Sequence, residues 1–326
     1  MNRSITVKRY ERRFRQPLRT ARGAWAVREG FLLRVERDGA VGYGEVAPLP
    51  EFGSETVAAA EAFLQELTND PGRAVPEDLP CCAFALSAAL RSGWGGTAMR
   101  SYAVSAFLPA GSAGLEKSGE KVAAGYRSLK WKIGVEPIRE ELRLAGELLK
   151  GLPSGVQLRL DANGGLTRTD LERWLDVLGK FPDKVDYLEQ PLACGEEAVM
   201  AELSAASGVA IALDESLNGA HGGRWLEPGA WRGPLVIKAA LMGGVEALAS
   251  RLRPVADQVV LSSVFETGIG LESSLRVVDA LPAAERPVGF DTVDAFGDAL
   301  NPIDSKPKIC EAVRRAYDPE RIWNSI

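Results

Sequence analysis

Six short apolar runs, "SLKWKI", "VQLRLDAN", "VDYLEQP", "VAIALDES", "PLVIKAA" and "QVVLSSV", each carry a polar residue at their end, and those residues recur at a nearly fixed interval. The steps are 29 residues from Lys132 to Asp161, 28 to Glu189, 25 to Asp214, 24 to Lys238 and 24 to Ser262. Such an interval holds one strand, one helix and two short loops. Helical patterns, among them "IREELRLAGELLKGL" and "TDLERWLDVLGKF", fall between the runs. Repeated βα units with apolar strands require a parallel sheet covered by helices. An early strand at "YAVSAF" and a late one at "RPVGF" bring the count to eight, enough to close a TIM-like α/β barrel. The competing doubly wound open sheet would carry a Gly-rich fingerprint after its first strand, and neither G-x-G-x-x-G nor G-K-[ST] occurs.

The first hundred residues follow a different rule. "ITVKRYERRF" and "FLLRVERDG" alternate apolar and polar positions, and "DGAVGYGEV" places a turn between two β-type runs. Helical patterns follow over Ser54–Leu67, with Ser54 as N-cap, and from Pro80 to about Gly93. We therefore expect an α+β capping domain over 1–100, the barrel over 101–291, and an irregular segment, 292–326, packing back on the cap.

The chain is 46% apolar and 25% charged, which excludes disorder, and its net charge of −5 gives no overall pull toward nucleic acid or membrane. The basic residues cluster early: Arg3, Lys8, Arg9, Arg12, Arg13, Arg15, Arg19 and Arg22 stand against Glu11 alone. Such a run is either a solvated face or an attractor for an anionic ligand. Cys81, Cys82, Cys194 and Cys310 fit no zinc spacing. No signal-peptide core follows the basic start and no run approaches a membrane span, so a cytoplasmic protein with reduced thiols is expected.

In a barrel of this kind the C-terminal strand ends converge on one mouth. That mouth would receive Lys130, Lys132, Asp161, Glu189, Asp214, Lys238, Ser262 and Ser263. Three carboxylates from adjacent strands raise one another's pKa, and a hard dication with oxygen ligands removes that cost. Mg²⁺ on Asp161, Glu189 and Asp214 suits one carboxylate per strand, with Mn²⁺ as a substitute. Lys130 and Lys132 lie two apart on a strand and so face the same side. Their juxtaposition has a use if a proton must leave the carbon next to a carboxylate. Removing it builds an enediolate, which Mg²⁺ stabilises while a neutral lysine takes the proton. A free lysine titrates at about 10.4, and a nearby cation and a second ammonium both lower that value. Lys130 would thus tune Lys132, with Lys238 on the other side of the substrate.

"LKWKIG", "LRLDANGG", "YLEQPL", "ALDES" and "VIKAAL" resemble the barrel motifs of the enolase superfamily, in its muconate-lactonising subgroup. "GYGEVAPLPEFGSET", "LRLDAN" and "SSVFETGIGL" are similar to segments of the o-succinylbenzoate synthase family within it. The resemblance implies a (β/α)₇β barrel with an α+β cap, Mg²⁺ on Asp161, Glu189 and Asp214, and Lys132 as acid and base. It implies a syn dehydration of a small dianionic cyclohexadiene carboxylate to o-succinylbenzoate, a precursor of menaquinone or phylloquinone. One lysine would remove the α-proton and then protonate the departing hydroxyl, while Lys238 remains a cationic partner.

Other residues admit two readings each. Arg159, two before Asp161, is a substrate contact or a barrel-interior ion pair. Asn163 binds substrate or caps its loop. Ser262 and Ser263 hold a carboxylate by hydroxyl and N–H, or cap a helix. Gln190, Glu215 and Glu266 are supporting or solvated, and His221 is a bystander. The loops "PLRTARGAW" and "PLPEFGSET" should close over the mouth, with Arg19 and Arg22 attracting the dianion. The alternatives are an N-acylamino acid racemase or dipeptide epimerase of the same fold, or a metal-dependent binding protein. Dipeptide epimerases carry D-x-D after the last strand, whereas Asp291 and Asp294 are spaced differently.

Overall fold

A computed structural model describes residues 3–20, 23–91, 99–219, 221–282, 286–301, 306–315 and 317–326, with the backbone alone at 18–20 and 23–24. The alternating N-terminal segments pair into an antiparallel sheet in the order β1 (Arg3–Thr20), β2 (Gly23–Arg37), β3 (Ala40–Val46). Asp38 and Gly39 turn the chain between β2 and β3 at φ 52° and 82°, the left-handed pair that a two-residue hairpin needs. Two helices cover the sheet, α1 (Val57–Asn69) and α2 (Pro80–Leu90). Gly42 and Gly44 let α2 lie directly on β3, since a Cβ there would stand 1.9 and 2.0 Å from the carbonyl oxygens of Ala89 and Ala85. Helix α1 begins later than its sequence pattern suggests. Thr56 is its N-cap, accepting the Ala59 N–H at 3.1 Å, while the Ser54 hydroxyl accepts the Leu49 N–H and shapes the preceding loop.

Past the short β4 (Tyr102–Ala103), five parallel strands run in order: β5 (Ser105–Leu108), β6 (Ser128–Lys132), β7 (Gln157–Asp161), β8 (Val185–Glu189) and β9 (Ile211–Ala212). The parallel pair β10 (Leu235–Ile237) and β11 (Val259–Leu261) joins them through a bridge from Leu213 to Leu235. Closure comes from Val288 and Gly289, bridged to Val104 on one side and Ser262 on the other. The strand expected at "RPVGF" is thus a two-residue seam, and the ring still closes. Helices α3 (Ser112–Ala123), α4 (Ile138–Gly151), α5 (Arg168–Leu178), α6 (Glu197–Ser207), α7 (Val245–Leu252) and α8 (Gly268–Asp279) follow the strands in turn. After β9 the α-helix is replaced by two 3₁₀ turns, Glu215–Leu217 and Gly222–Leu226.

Side-chain parity decides what each strand offers to either face. On β6, Leu129 and Trp131 are fully buried, and Trp131 meets the edge of Trp174 from α5 at 6.3 Å. Ser128, Lys130 and Lys132 take the other face. Among the described residues no helix is long and apolar enough to cross a membrane. The C-terminal segment returns along the molecule as β12 (Lys308–Ile309), paired with β4, then α9 (Glu311–Arg315) and α10 (Pro319–Trp323). Trp323 reaches Tyr43 of the first sheet, and the Lys8 ammonium donates to the Trp323 carbonyl at 2.9 Å.

The described side chains of the early basic run are mixed, with Arg9, Arg13 and Arg15 exposed and Arg12 tied into the protein. Arg12 is buried and donates to the carbonyls of Phe265 and Glu266 and to Asp298. Arg28 donates to the Val264, Ala47 and Pro48 carbonyls. Arg22 and the side chain of Arg19 lie outside the described residues. Glu45 of β3 accepts from the Thr267 and Gly270 N–H groups at the start of α8 and from Tyr10, so a carboxylate from the first sheet satisfies a barrel helix's free donors. Glu45→Ala should cost about 3 kcal/mol by orphaning these buried donors. Urea unfolding checks this, and Glu45→Gln should lose less.

Candidate active site

Strand register brings the predicted residues together in layers. Lys132 pairs with Asp161 and Asp161 with Glu189, while one layer deeper Lys130 pairs with Arg159 and Arg159 with Tyr187. Asp214 arrives just past β9, its N–H held by the Gln190 side-chain oxygen at 3.0 Å. Lys238 follows β10. With β5 counted first around the ring, β6 and β10 are the second and sixth of eight positions, so Lys132 and Lys238 face each other. Between them lies a cavity of about 150 Å³. Lys130, Lys132, Asp161, Asn163, Asp214, Glu215, Lys238, Ser262 and Ser263 line its polar side, and Trp25, Phe52, Phe107 and Phe265 its apolar side. Glu189 lies beneath, fully buried.

Ammonium groups hold the carboxylates. The Lys130 Nζ lies 2.7 Å from Glu189 and 2.9 Å from Asp161. Lys238 forms an ion pair with Asp214 and sits 4.5 Å from the centre of the Phe52 ring. Burial works against both lysines, but the carboxylates outweigh it and raise both pKa values. Lys132 differs. Its Nζ donates to the neutral amide oxygen of Asn163 at 2.7 Å. Burial, joined by the Lys130 ammonium and against the pull of Asp161, lowers its pKa. The expected tuning by Lys130 is therefore present, with burial the larger cause. Burial and the neighbouring Asp161 push Glu189 well above the ordinary range, whereas Lys130 overcomes burial to lower Asp161. Burial and Asp214 push Glu215 up to about 7.

Among the described residues, no three acidic, histidine or cysteine side chains form a ready-made metal cage. The residues nevertheless fit a hard divalent ion in chemistry. Asp161, Glu189 and Asp214 present carboxylates at successive strand ends, and Glu189 Oε2 is buried without a hydrogen-bond partner. Lys130 and Lys238 now supply the positive charge those groups require.

One substrate-binding expectation needs correction. Arg159 is 1% exposed and is not on the cavity wall. Its guanidinium turns toward the start of β8, bonding Asp186 at 2.8 Å and the Pro287 carbonyl at 2.7 Å. It shares parity with Asp161 but sits a layer deeper. Ser263 lines the cavity, yet its hydroxyl donates to Glu266 at 2.6 Å and accepts from Phe265 N–H and Thr292. The N–H groups of Ser262 and Ser263 are used by the Ile237 and Gly289 carbonyls in closing the ring. The Ser262 hydroxyl alone remains open to the cavity. Asn163 lines the cavity and bridges Lys132 to Glu215, to which its amide donates at 3.2 Å. His221 is exposed and off the cavity wall.

Two features were not read from the residues individually. Asn163, Gln190 and Phe265, each just past a barrel strand, hold φ of 46°, 35° and 64°. Left-handed backbone in non-glycine residues past three of the barrel strands marks a strained, shaped mouth. Trp25, near the start of β2, and Phe52, in the turn after β3, add aromatic rings to the cavity wall. Tryptophan and phenylalanine inside otherwise polar segments were the available signal.

This fold and this arrangement of lysines and carboxylates define a capped barrel of the enolase superfamily. A family profile described as "Enolase C-terminal domain-like" matches residues 115–308, and one described as "MenC, N-terminal domain" matches residues 2–92. An o-succinylbenzoate synthase of Thermosynechococcus vestitus is 39% identical over 97% of each chain. The solved o-succinylbenzoate synthase from Thermosynechococcus elongatus BP-1, complexed with Mg in its active site, superposes with a TM-score of 0.83 at 33% identity, covering 99% of this chain and 100% of that one. The L-Ala-D/L-Glu epimerase from Bacillus subtilis shares the fold, with a TM-score of 0.77 at 20% identity over 90% of each chain. The chain belongs to the o-succinylbenzoate synthase family.

The lysine environments can be checked directly. In metal-free protein, an amine-specific reagent followed by peptide mass spectrometry should label Lys132 at lower pH than Lys130 or Lys238. Lys130→Met removes the ammonium that depresses Lys132 and uncovers Asp161, so both effects should move the Lys132 labelling curve to higher pH.

Proposed function

We infer that this chain catalyses the syn dehydration of 2-succinyl-6-hydroxy-2,4-cyclohexadiene-1-carboxylate to o-succinylbenzoate in quinone biosynthesis. The observation that carries this reading is the inequality of the two opposed lysines. Lys132 touches a neutral amide, whereas Lys238 is paired with Asp214. One lysine is thus disposed to give up its proton and become a base, and the other to remain a cation. A two-base epimerase would need both to exchange protons. Asp291, the residue nearest to an epimerase D-x-D position, is engaged by the Phe107 N–H, Lys121 and Tyr126, and Asp294 is exposed.

The small dianionic substrate would lie between Lys132 and Lys238. Asp161, Glu189 and Asp214 would hold Mg²⁺, which Mn²⁺ can replace, and the bound ion would supply positive charge to the substrate's carboxylate as its α-proton departs. Lys132 removes that proton and, now an ammonium on the same face, delivers it to the leaving hydroxyl, which departs as water. Lys238 stays protonated opposite and balances the developing charge. Trp25 and Phe52 pack on the ring and exclude water. The Ser262 hydroxyl is available to a substrate oxygen. In this scheme residues 1–100 act as the cap, 101–291 carry the chemistry, and 292–326 tie one to the other.

Lys132→Ala should lower dehydration by about 10³-fold or more and stop exchange of the substrate's α-proton with deuterated solvent, read by absorbance and NMR. Lys238→Arg keeps the cation and should retain measurable dehydration. Asp161→Ala, Glu189→Ala and Asp214→Ala should each abolish turnover without unfolding the protein, and EDTA should do so reversibly. Rapid inversion of N-acylamino acids or dipeptides, with no dehydration of the cyclohexadiene, would overturn the assignment.

A further inference from the structure

Glu215 stands on the cavity wall next to Asp214, with no part in the scheme above. Its Oε1 accepts from Asn163 Nδ2 at 3.2 Å, and its Oε2 is buried without a hydrogen-bond partner. A buried carboxyl oxygen left unsatisfied costs stability, so packing alone gives no reason for a glutamate here. The far end of the same amide touches Lys132.

We propose that Glu215 is a positioning residue for Lys132, acting through Asn163 to keep the lysine's lone pair free for the substrate's proton. This rests on the reading of Lys132 as the base. A neutral amine carries two N–H bonds and one lone pair. While Asn163 presents its oxygen, it occupies an N–H and leaves the lone pair available. Turned over, the amide would present its NH₂ and block that lone pair. The two orientations have nearly the same shape, so neighbours must choose between them. Glu215 makes the choice by position: its Oε1 stands where the amide NH₂ points, and the turned amide would set oxygen against oxygen there. The Asn163 backbone cannot adjust independently. Its N–H donates to Asp161 at 3.1 Å, its φ is 46°, and Gly164 N–H is held by the Gln190 carbonyl at 2.7 Å.

The test is a mutant cycle on the full chain with Mg²⁺ and the cyclohexadiene substrate. Glu215→Leu removes the acceptor and should lower kcat by about 10- to 100-fold, because it misaligns the base. KM and the Mg²⁺ concentration for half-activity should move by less than about twofold. Glu215→Gln keeps an acceptor oxygen without the charge and should recover most of the loss. Asn163→Gly removes the amide while tolerating the positive φ, and in that background Glu215→Leu should change kcat by less than about twofold. Equal losses in both backgrounds, a Gln variant as poor as Leu, or an effect confined to Mg²⁺ or KM would overturn the proposal. Thermal melting checks that each variant folds, and Glu215→Ala through the same cycle guards against a misfolded Leu variant. Lys132→Ala is assayed alongside: if it retained dehydration, the base assignment itself would fail, separately from the role of Glu215.

Discussion

Like charges at the ends of three adjacent strands are the constraint around which this molecule is arranged. Two carboxylates about 4 Å apart repel by about 4 kcal/mol at the effective dielectric of a protein site, and Glu189 has no solvent to soften this. The barrel answers with cations of its own. Lys130 reaches up from the deeper layer to lie between Asp161 and Glu189, and Lys238 comes across the ring to Asp214. That pairing leaves Lys132 as the lysine beside a neutral partner. Its lowered pKa follows from where the counter-charges were placed as much as from its own burial.

The first sheet is fastened to the barrel mouth by polar groups that would be expensive to bury alone. Arg12 and Arg28 run into the loop after β11, and Glu45 into the start of α8. These bonds converge on the segment 264–270, which carries Phe265 with its left-handed backbone. The aromatic wall of the cavity is thereby fixed by the same contacts that hold the two parts of the chain together. Trp25, near the start of β2, and Phe52, in the turn after β3, belong to the fastened unit, so the aromatic side of the cavity and the attachment of the first sheet share one set of interactions.

Much of the fold was legible because its causes are local or periodic. The recurring interval named the βα repeat, alternation named the first sheet, and parity put Lys130 with Lys132 and Arg159 with Asp161. The helix start shifted from Ser54 to Thr56 because Ser54 was needed by the loop before it. The last strand shrank to Val288 and Gly289, since closing the ring requires only that both neighbours be bridged there.

By itself the sequence determined the barrel, the residues that face its axis and the strand ends that meet at its mouth, because strand period and βα spacing belong to the chain itself. Tertiary structure decided which axial residues take part. Lys130 and Arg159 are paired in register and share one face, yet Lys130 reaches the carboxylates while Arg159 turns away to Asp186 and Pro287. Ser263 spends its hydroxyl on Glu266, and Asn163 joins Lys132 to Glu215 across 52 positions of sequence separation from the latter. The partner a side chain finds depends on distances between elements far apart in sequence, and no local pattern encodes those distances.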